Sequence, residues 1–145
     1  MKSVRQLLAR KGTAVHTVSP DATVFEALEV LARHDVGALV AVDERGEVIG
    51  LLSERDYARK VILQGRISRD TPVREIMTTG VLCVTSRQTV DACMALMTRH
   101  RIRHIPVVEN GQLSGIVSIG DVVSSIIEDQ QFTIEQLEHY ITGGR

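Results

Sequence analysis

The 145 residues are 43% hydrophobic, enough for a core that needs no disulfide or metal staple. Lys and Arg number 17 against 18 Asp and Glu, so the overall charge points to neither nucleic acid nor an anionic membrane, and any anion site must be local. With no Trp, and only Phe25, Tyr57, Phe132 and Tyr140 to stack on bases, a single-strand platform is also disfavoured.

In chain order, "MKSVRQLLARKG" has an apolar run broken by Arg5, Gln6 and Arg10, unlike a signal peptide or a membrane span. It reads as a short amphipathic helix with Val4, Leu7 and Leu8 on one side, ended by Gly12, and the expected location is the cytoplasm. A short strand, "HTVSP", precedes a helix with Val24, Ala27, Leu28 and Leu31 at i, i+3, i+4 and i+7, opened by a Thr23–Glu26 capping box. Two strands follow, "ALVAV" and "VIGLL", joined by a tight turn, and a helix begins near Asp56. The stretch "LQGRISRDTPVREIMTTG" reads as a structured linker in which Thr71 caps a short helical turn with Pro72 at its first position.

The same order then returns at an offset of 66, with Val18, Thr23, Val24 and Arg33-His34 matching Val84, Thr89, Val90 and Arg99-His100. The second helix carries Val90, Cys93, Met94 and Met97; the strands are "HIPVV" and "LSGIV", and Asn110-Gly111 between them predicts a type I′ turn. The unit is therefore β-α-β-β-α used twice, an α+β arrangement. An N-terminal helical segment spans 1–14, repeat one 15–62, a linker 63–82, repeat two 83–127 and a helical tail 128–145. Ile127, Ile134, Leu137 and Ile141 make a seam along that tail suited to association, with an interruption expected at Phe132-Thr133 and a restart capped by Thr133 and Gln136. Packing back onto its own module is the alternative. Cys83 and Cys93 lack CxxC spacing and read as core thiols.

Each copy ends an apolar strand with the same polar pair, Ser53 with Asp56 and Ser118 with Asp121. Such pairs cap helices. A carboxylate there also has two acceptor oxygens suited to the vicinal hydroxyls of a ribose, and the helix start offers N–H groups to a phosphate. Before the central strand of copy two stands "RHRIRH", in which Arg103 and His104 are the favoured phosphate contacts, whereas copy one has Val36, Gly37 and Ala38 there, with Gly37 allowing a base to approach closely. His100 and His104 are spaced for a metal on a helix, but no HExxH carboxylate accompanies them, and the chain is expected to leave the helix before His104. No GxGxxG, GxxxxGK[ST] or GxSxG motif occurs, so no residues point to catalysis and none to a catalytic cofactor.

The stretches "VSPDATVFEALEVLARHDVGALVAVDERGEVIGLLSERD" and "VTSRQTVDACMALMTRHRIRHIPVVENGQLSGIVSIGD" resemble the CBS domain, named for cystathionine β-synthase, and the pair resembles a Bateman module. The resemblance implies repeats packed through their sheets with pseudo-twofold symmetry, leaving clefts for AMP, ATP or NAD. It places ribose on Asp56 and Asp121, assisted by Ser53 and Ser118, and phosphate on Arg103 and His104. Adenine would lie among Val18, Val36, Ala38 and Leu39 in one cleft and Val84, Ile102, Ile105 and Pro106 in the other. Copy one departs from the pattern by lacking the basic pair and a counterpart of Pro106, so the clefts are expected to differ, with Arg55 and Arg59 available to lend charge. The family also implies a dimeric disk and a regulatory role, a ligand or energy sensor signalling to a partner protein. The competing expectation is a ligand-free interaction module whose aspartates only cap helices.

Overall fold

The computed structural model describes residues 2–142. Helix α1 (Val4–Lys11) starts at a capping box: Ser3 Oγ accepts from Gln6 N–H at 3.1 Å and the Gln6 side chain accepts from Ser3 N–H at 2.8 Å. It ends at Gly12, whose φ of 103° suits a residue without Cβ, and it buries Val4, Leu7 and Leu8.

The first repeat runs β1 (Thr17–Val18), α2 (Val24–His34), β2 (Ala38–Val42), β3 (Val48–Ser53) and α3 (Glu54–Tyr57), which passes into a π-helical turn, Ala58–Ile62. The second runs α4 (Val90–His100), β4 (His104–Glu109), β5 (Gln112–Ser118) and α5 (Ile119–Ile141). Strand β1 lies parallel to β2, which pairs antiparallel with β3; β4 and β5 form the antiparallel counterpart. In the second repeat the counterpart of β1, expected around Val84 as the match of Val18, reduces to one parallel bridge from Val84 to Val107. Register shifts fall between Ala41 and Val42 and between Val107 and Val108, matching points of the two copies. Asn110 and Gly111 take φ of 50° and 79°, as a type I′ turn requires.

The predicted helix faces hold, except that Met94 is 38% exposed where its counterpart Leu28 packs against the core of the first repeat. Thr23 and Glu26 form the expected capping box on α2. Cys93 is buried, whereas Cys83 is only half-buried, and burial pushes both thiols above their ordinary range.

Two cores result, and each takes apolar side chains from a segment outside its own repeat. Val4, Leu7 and Leu8 of α1 join Val84, Val90, Cys93, Ile105 and Val117. Val73 and Ile76 of the linker join Val24, Leu31, Leu39 and Leu52. Backbone bonds repeat the exchange position for position: Val24 N–H to Thr71 O (2.8 Å) matches Val90 N–H to Lys2 O (2.9 Å), and Val73 N–H to Ala22 O (2.8 Å) matches Val4 N–H to Gln88 O (2.7 Å). The duplication therefore includes "VRQLL" and "VREIM", at an offset of 69. Each half holds the segment that precedes the other, which ties the pseudo-symmetric repeats together.

The linker is ordered by two 3₁₀ turns, Ser68–Asp70 and Val73–Glu75, with the Arg69 guanidinium 3.8 Å over the Phe25 ring. Thr71 does not cap a helix there. Its hydroxyl donates to Ile67 O at 2.8 Å, and Pro72, with ψ of 149°, precedes the second turn in extended conformation. The tail differs too, since α5 continues through Phe132 and Thr133 without a break, the Thr133 hydroxyl donating to Asp129 O at 3.0 Å inside the helix. Ile127, Ile134, Leu137 and Ile141 remain exposed, so the tail does not pack back on its module.

Candidate functional site

Both repeated Ser/Asp pairs are capping boxes. Ser53, extended at the end of β3, accepts from Asp56 N–H at 3.2 Å while Asp56 Oδ2 accepts from Ser53 N–H at 3.0 Å. Ser118 and Asp121 repeat this at 3.1 and 2.8 Å. The helix starts are thus built by the same residues that the ribose assignment uses, and capping engages one carboxylate oxygen, Oδ2, in each. Asp56 Oδ1 receives the Lys60 ammonium at 3.0 Å and the Thr78 hydroxyl at 3.4 Å. Asp121 Oδ2 also receives Lys11 Nζ at 2.5 Å, and that ammonium donates to Ile116 O at 2.7 Å.

Beside Asp56 the two repeats enclose a cavity of about 560 Å³. Ser53, Glu54, Arg55 and Asp56 enter it from the β3–α3 junction, and His100, Arg101, Ile102, Arg103 and His104 from the α4–β4 junction; Gly37, Leu51 and Thr78 complete the wall. Gly37 stands where the repeats meet: a Cβ there would be in ordinary contact with the His104 ring at 3.7 Å and with Glu54 Oε1 at 3.4 Å. Arg101 ends α4 in the left-handed region (φ 53°), as Asp35 ends α2 (φ 51°), and this turn delivers Ile102 and Arg103 to the cavity. Because α4 stops at His100, His100 and His104 do not share a helix face. Burial lowers the His104 pKa below its ordinary value, the Lys11 and Arg103 charges lower it further, and Asp121 opposes them.

The remaining assignments divide. Arg59 is exposed on the π-helical turn and does not line the cavity. Val18, Leu39, Val84 and Ile105 are buried in the two cores, Ala38 and Pro106 are buried in their strands, and Val36 packs half-buried against the first core, so none of these lines the cavity either. Central-strand residues are covered on both faces, and an apolar string alone does not show which of them borders a cleft. Asp121 borders a different hollow, of about 200 Å³ between α1 and α5, where Lys2, Arg10, Lys11 and Glu128 surround it and the buried Ser125 Oγ has no partner among the described residues.

Leu51, Glu54, Thr78, His100 and Arg101 line the main cavity without having been assigned. Arg101 and His100 belong to the conspicuous "RHRIRH" run; Thr78 sits in the linker, and only the alignment of "VREIM" with "VRQLL" would have drawn attention to it. His16 and His34, which show no partner in the sequence pattern, stack with ring centroids 3.7 Å apart.

Comparison with known proteins gives a family model described as the CBS domain, matching residues 4–63 and 73–128. Both matches begin at the exchanged segments, Val4 and Val73. The chain is 44% identical over 128 residues to the CBS domain-containing protein CBSX3, mitochondrial, of Arabidopsis thaliana, covering 86% of this chain but only 62% of that protein's length. A candidate signal-transduction protein with CBS domains from Burkholderia ambifaria MC40-6 superposes with a TM-score of 0.84 at 48% identity, over 92% of this chain and 99% of that one. The CBS domain pair of protein MJ0100, in complex with 5′-methylthioadenosine and S-adenosyl-L-methionine, superposes with a TM-score of 0.79 at 26% identity, over 90% and 98%. The duplicated unit, its exchanged segments and these matches agree: the chain belongs to the CBS-domain family, as a tandem pair of repeats.

Proposed function

We propose that the chain is a regulatory module that takes an adenosine nucleotide, AMP, ATP or NAD, between its repeats and signals occupancy to a partner protein. CBS-domain pairs are regulatory modules, and some bind adenosine ligands, the MJ0100 pair among them. The observation that carries the reading is the main cavity, where Glu54 and Asp56 from one repeat border the same space as His100, Arg101, Arg103 and His104 from the other. In this reading Asp56, supported by Ser53, takes the ribose hydroxyls as Lys60 swings away to solvent. Arg55, Arg103 and His104 meet phosphate, and Gly37 and Ile102 border the base. Ser118 and Asp121 would serve a second, weaker cleft, because Lys11 already holds that carboxylate.

Signalling then requires the ligand to favour one arrangement of the repeats, or of two chains, over another. A homodimer joined through the exposed apolar seam of α5 would supply the second level of arrangement.

The capping boxes favour a competing reading, a ligand-free interaction module, since they give Ser53, Asp56, Ser118 and Asp121 a structural purpose. Asp56→Asn separates the two. Its side-chain oxygen can still accept from Ser53 N–H, so the fold persists, while the charge that ribose hydroxyls would meet is gone. Calorimetric titration with AMP, ATP and NAD is expected to show binding by the wild type and a loss of about tenfold or more in the variant, the size of one charge-assisted hydrogen bond. Absence of heat and of thermal shift with all three compounds would put the interaction module in its place.

A further inference from the structure

The two repeats end alike in apolar exposure and opposite in charge. After the first, Ile62, Leu63 and Ile67 are 55%, 76% and 62% exposed, and the charged residues from position 58 to 69 are Arg59, Lys60, Arg66 and Arg69, with Asp70 the first acid to follow. After the second, Ile134, Leu137 and Ile141 are exposed, and from 128 to 141 stand Glu128, Asp129, Glu135 and Glu138 with no Lys or Arg. From this contrast we infer that a second copy of the chain docks in reverse, the basic end of repeat one in each copy seated on the acidic α4–α5 face of repeat two in the other. The inference rests on the homodimer reading above and fixes which surfaces meet.

The receiving face is a furrow. Two hollows of about 420 and 640 Å³ lie along α4 and α5 and share Asp91 and Ile126. Met94, Ala95 and Ile134 add to its apolar lining, and Asp129 adds a second carboxylate. Met94 stands open where its counterpart Leu28 packs against the first core, so this lining is offered outward. Seating Ile62, Leu63 and Ile67 of a second copy there takes apolar surface of both chains out of water.

The charges left over on each side set the direction. Asp56 holds Lys60 and Glu75 holds Arg66, so the basic end presents Arg59 and Arg69, which make no ion pair among the described residues. Lys2 holds Glu128 and Asp129, so the acidic face presents Asp91, Glu135 and Glu138 in the same condition. Like ends placed together would oppose arginine to arginine and glutamate to glutamate, whereas reversal opposes arginine to carboxylate. A twofold axis makes the contact twice, once for each copy, and closes the pair.

Charge reversal in the full chain tests this, read as the dimer dissociation constant by sedimentation velocity. Arg59→Glu with Arg69→Glu, and separately Glu135→Lys with Glu138→Lys, are each expected to weaken the wild-type dimer about tenfold or more. All four changes in one chain restore opposite charges across the reversed contact and are expected to return the constant to within about threefold of wild type. The four side chains are exposed, so each variant keeps the fold, which far-UV circular dichroism and urea titration check. If like ends met instead, each reversal would exchange one like-charge contact for another and leave the dimer as it was; that result, or a fourfold variant no tighter than the separate pairs, overturns the reversed docking. A wild type that is monomeric at high concentration removes the homodimer reading itself, and the two failures are distinguishable.

Discussion

Lys11 Nζ lies 2.5 Å from Asp121 Oδ2, a contact across 110 positions that fastens the end of α1 to the first turn of α5. Both side chains are largely covered, at 28% and 22% exposure. Burial pushes the Asp121 carboxyl up, but the Lys11 ammonium and the Ser118 N–H and hydroxyl outweigh it and hold the group below the usual aspartate range. A carboxyl depressed on folding stabilises the fold above its ordinary pKa and loses that contribution as pH falls through the depressed value. Lys11→Met is therefore expected to lower stability by about 1 kcal/mol at pH 7, with the gap to wild type narrowing toward pH 2.5. Urea titrations at the two pH values check this; a gap independent of pH would mean that Lys11 acts through packing alone.

Gly50 and Gly115 occupy matching points of β3 and β5, and each faces a side chain from an exchanged segment. A Cβ at Gly50 would collide with Met77 Sδ, and one at Gly115 would lie 3.1 Å from both Leu8 methyl carbons. Gly50→Ala and Gly115→Ala are each expected to cost about 1–3 kcal/mol by overpacking. Met77→Ala combined with Gly50→Ala should cost less than the two single changes added, because the truncation makes the room the methyl needs. Additive losses in denaturant titrations would show that the glycines matter for the strands and not for the docked segments.

The parts of this structure that were legible in advance were those with a local signal. Period and caps marked α2 and α4, Asn110-Gly111 marked its turn, and the offset of 66 marked the duplication. The exchange was hidden because it depends on pairings such as Lys2 with Val90 and Thr71 with Val24, which have no local periodicity. Thr133 looked like a cap because its side chain can bond backbone either way; inside α5 it bonds back to Asp129 O. Most of the residues expected around adenine lie away from the cavity for a related reason. Leu39 and Ile105 sit in strands covered on both sides, whereas Gly37 and Ile102 stand where the chain enters the sheet, beside the opposite repeat.

Ile134 and Leu137 are 48% and 57% exposed on a helix that runs past the body of the module. An apolar face on so short a projecting length gains little stability alone and is best satisfied by a matching helix. Ile134→Glu with Leu137→Glu is expected to convert a dimer to a monomer in light scattering while leaving the module's unfolding free energy within about 0.5 kcal/mol, because both side chains are exposed in the single chain. A wild-type chain that is monomeric at high concentration would remove the seam from self-association.

His104 borders the main cavity with its pKa held below the ordinary histidine value by burial and by the Lys11 and Arg103 charges, against the opposing pull of Asp121. In the free protein this environment favours the neutral ring over the imidazolium. A phosphate placed against Arg103 and His104 would cancel part of the positive field and favour the imidazolium, raising the pKa. Nucleotide binding should then take up protons, and affinity should increase as pH falls through the interval between the bound and free values. Titrations at pH 6 in buffers of different ionisation enthalpy measure the uptake as a slope of observed heat against buffer heat. That slope should correspond to uptake of a fraction of a proton in the wild type and fall to nearly zero in His104→Gln. A wild-type slope of zero at pH 6, with binding intact, would place the phosphate away from His104 and leave the arginines as its only charged partners.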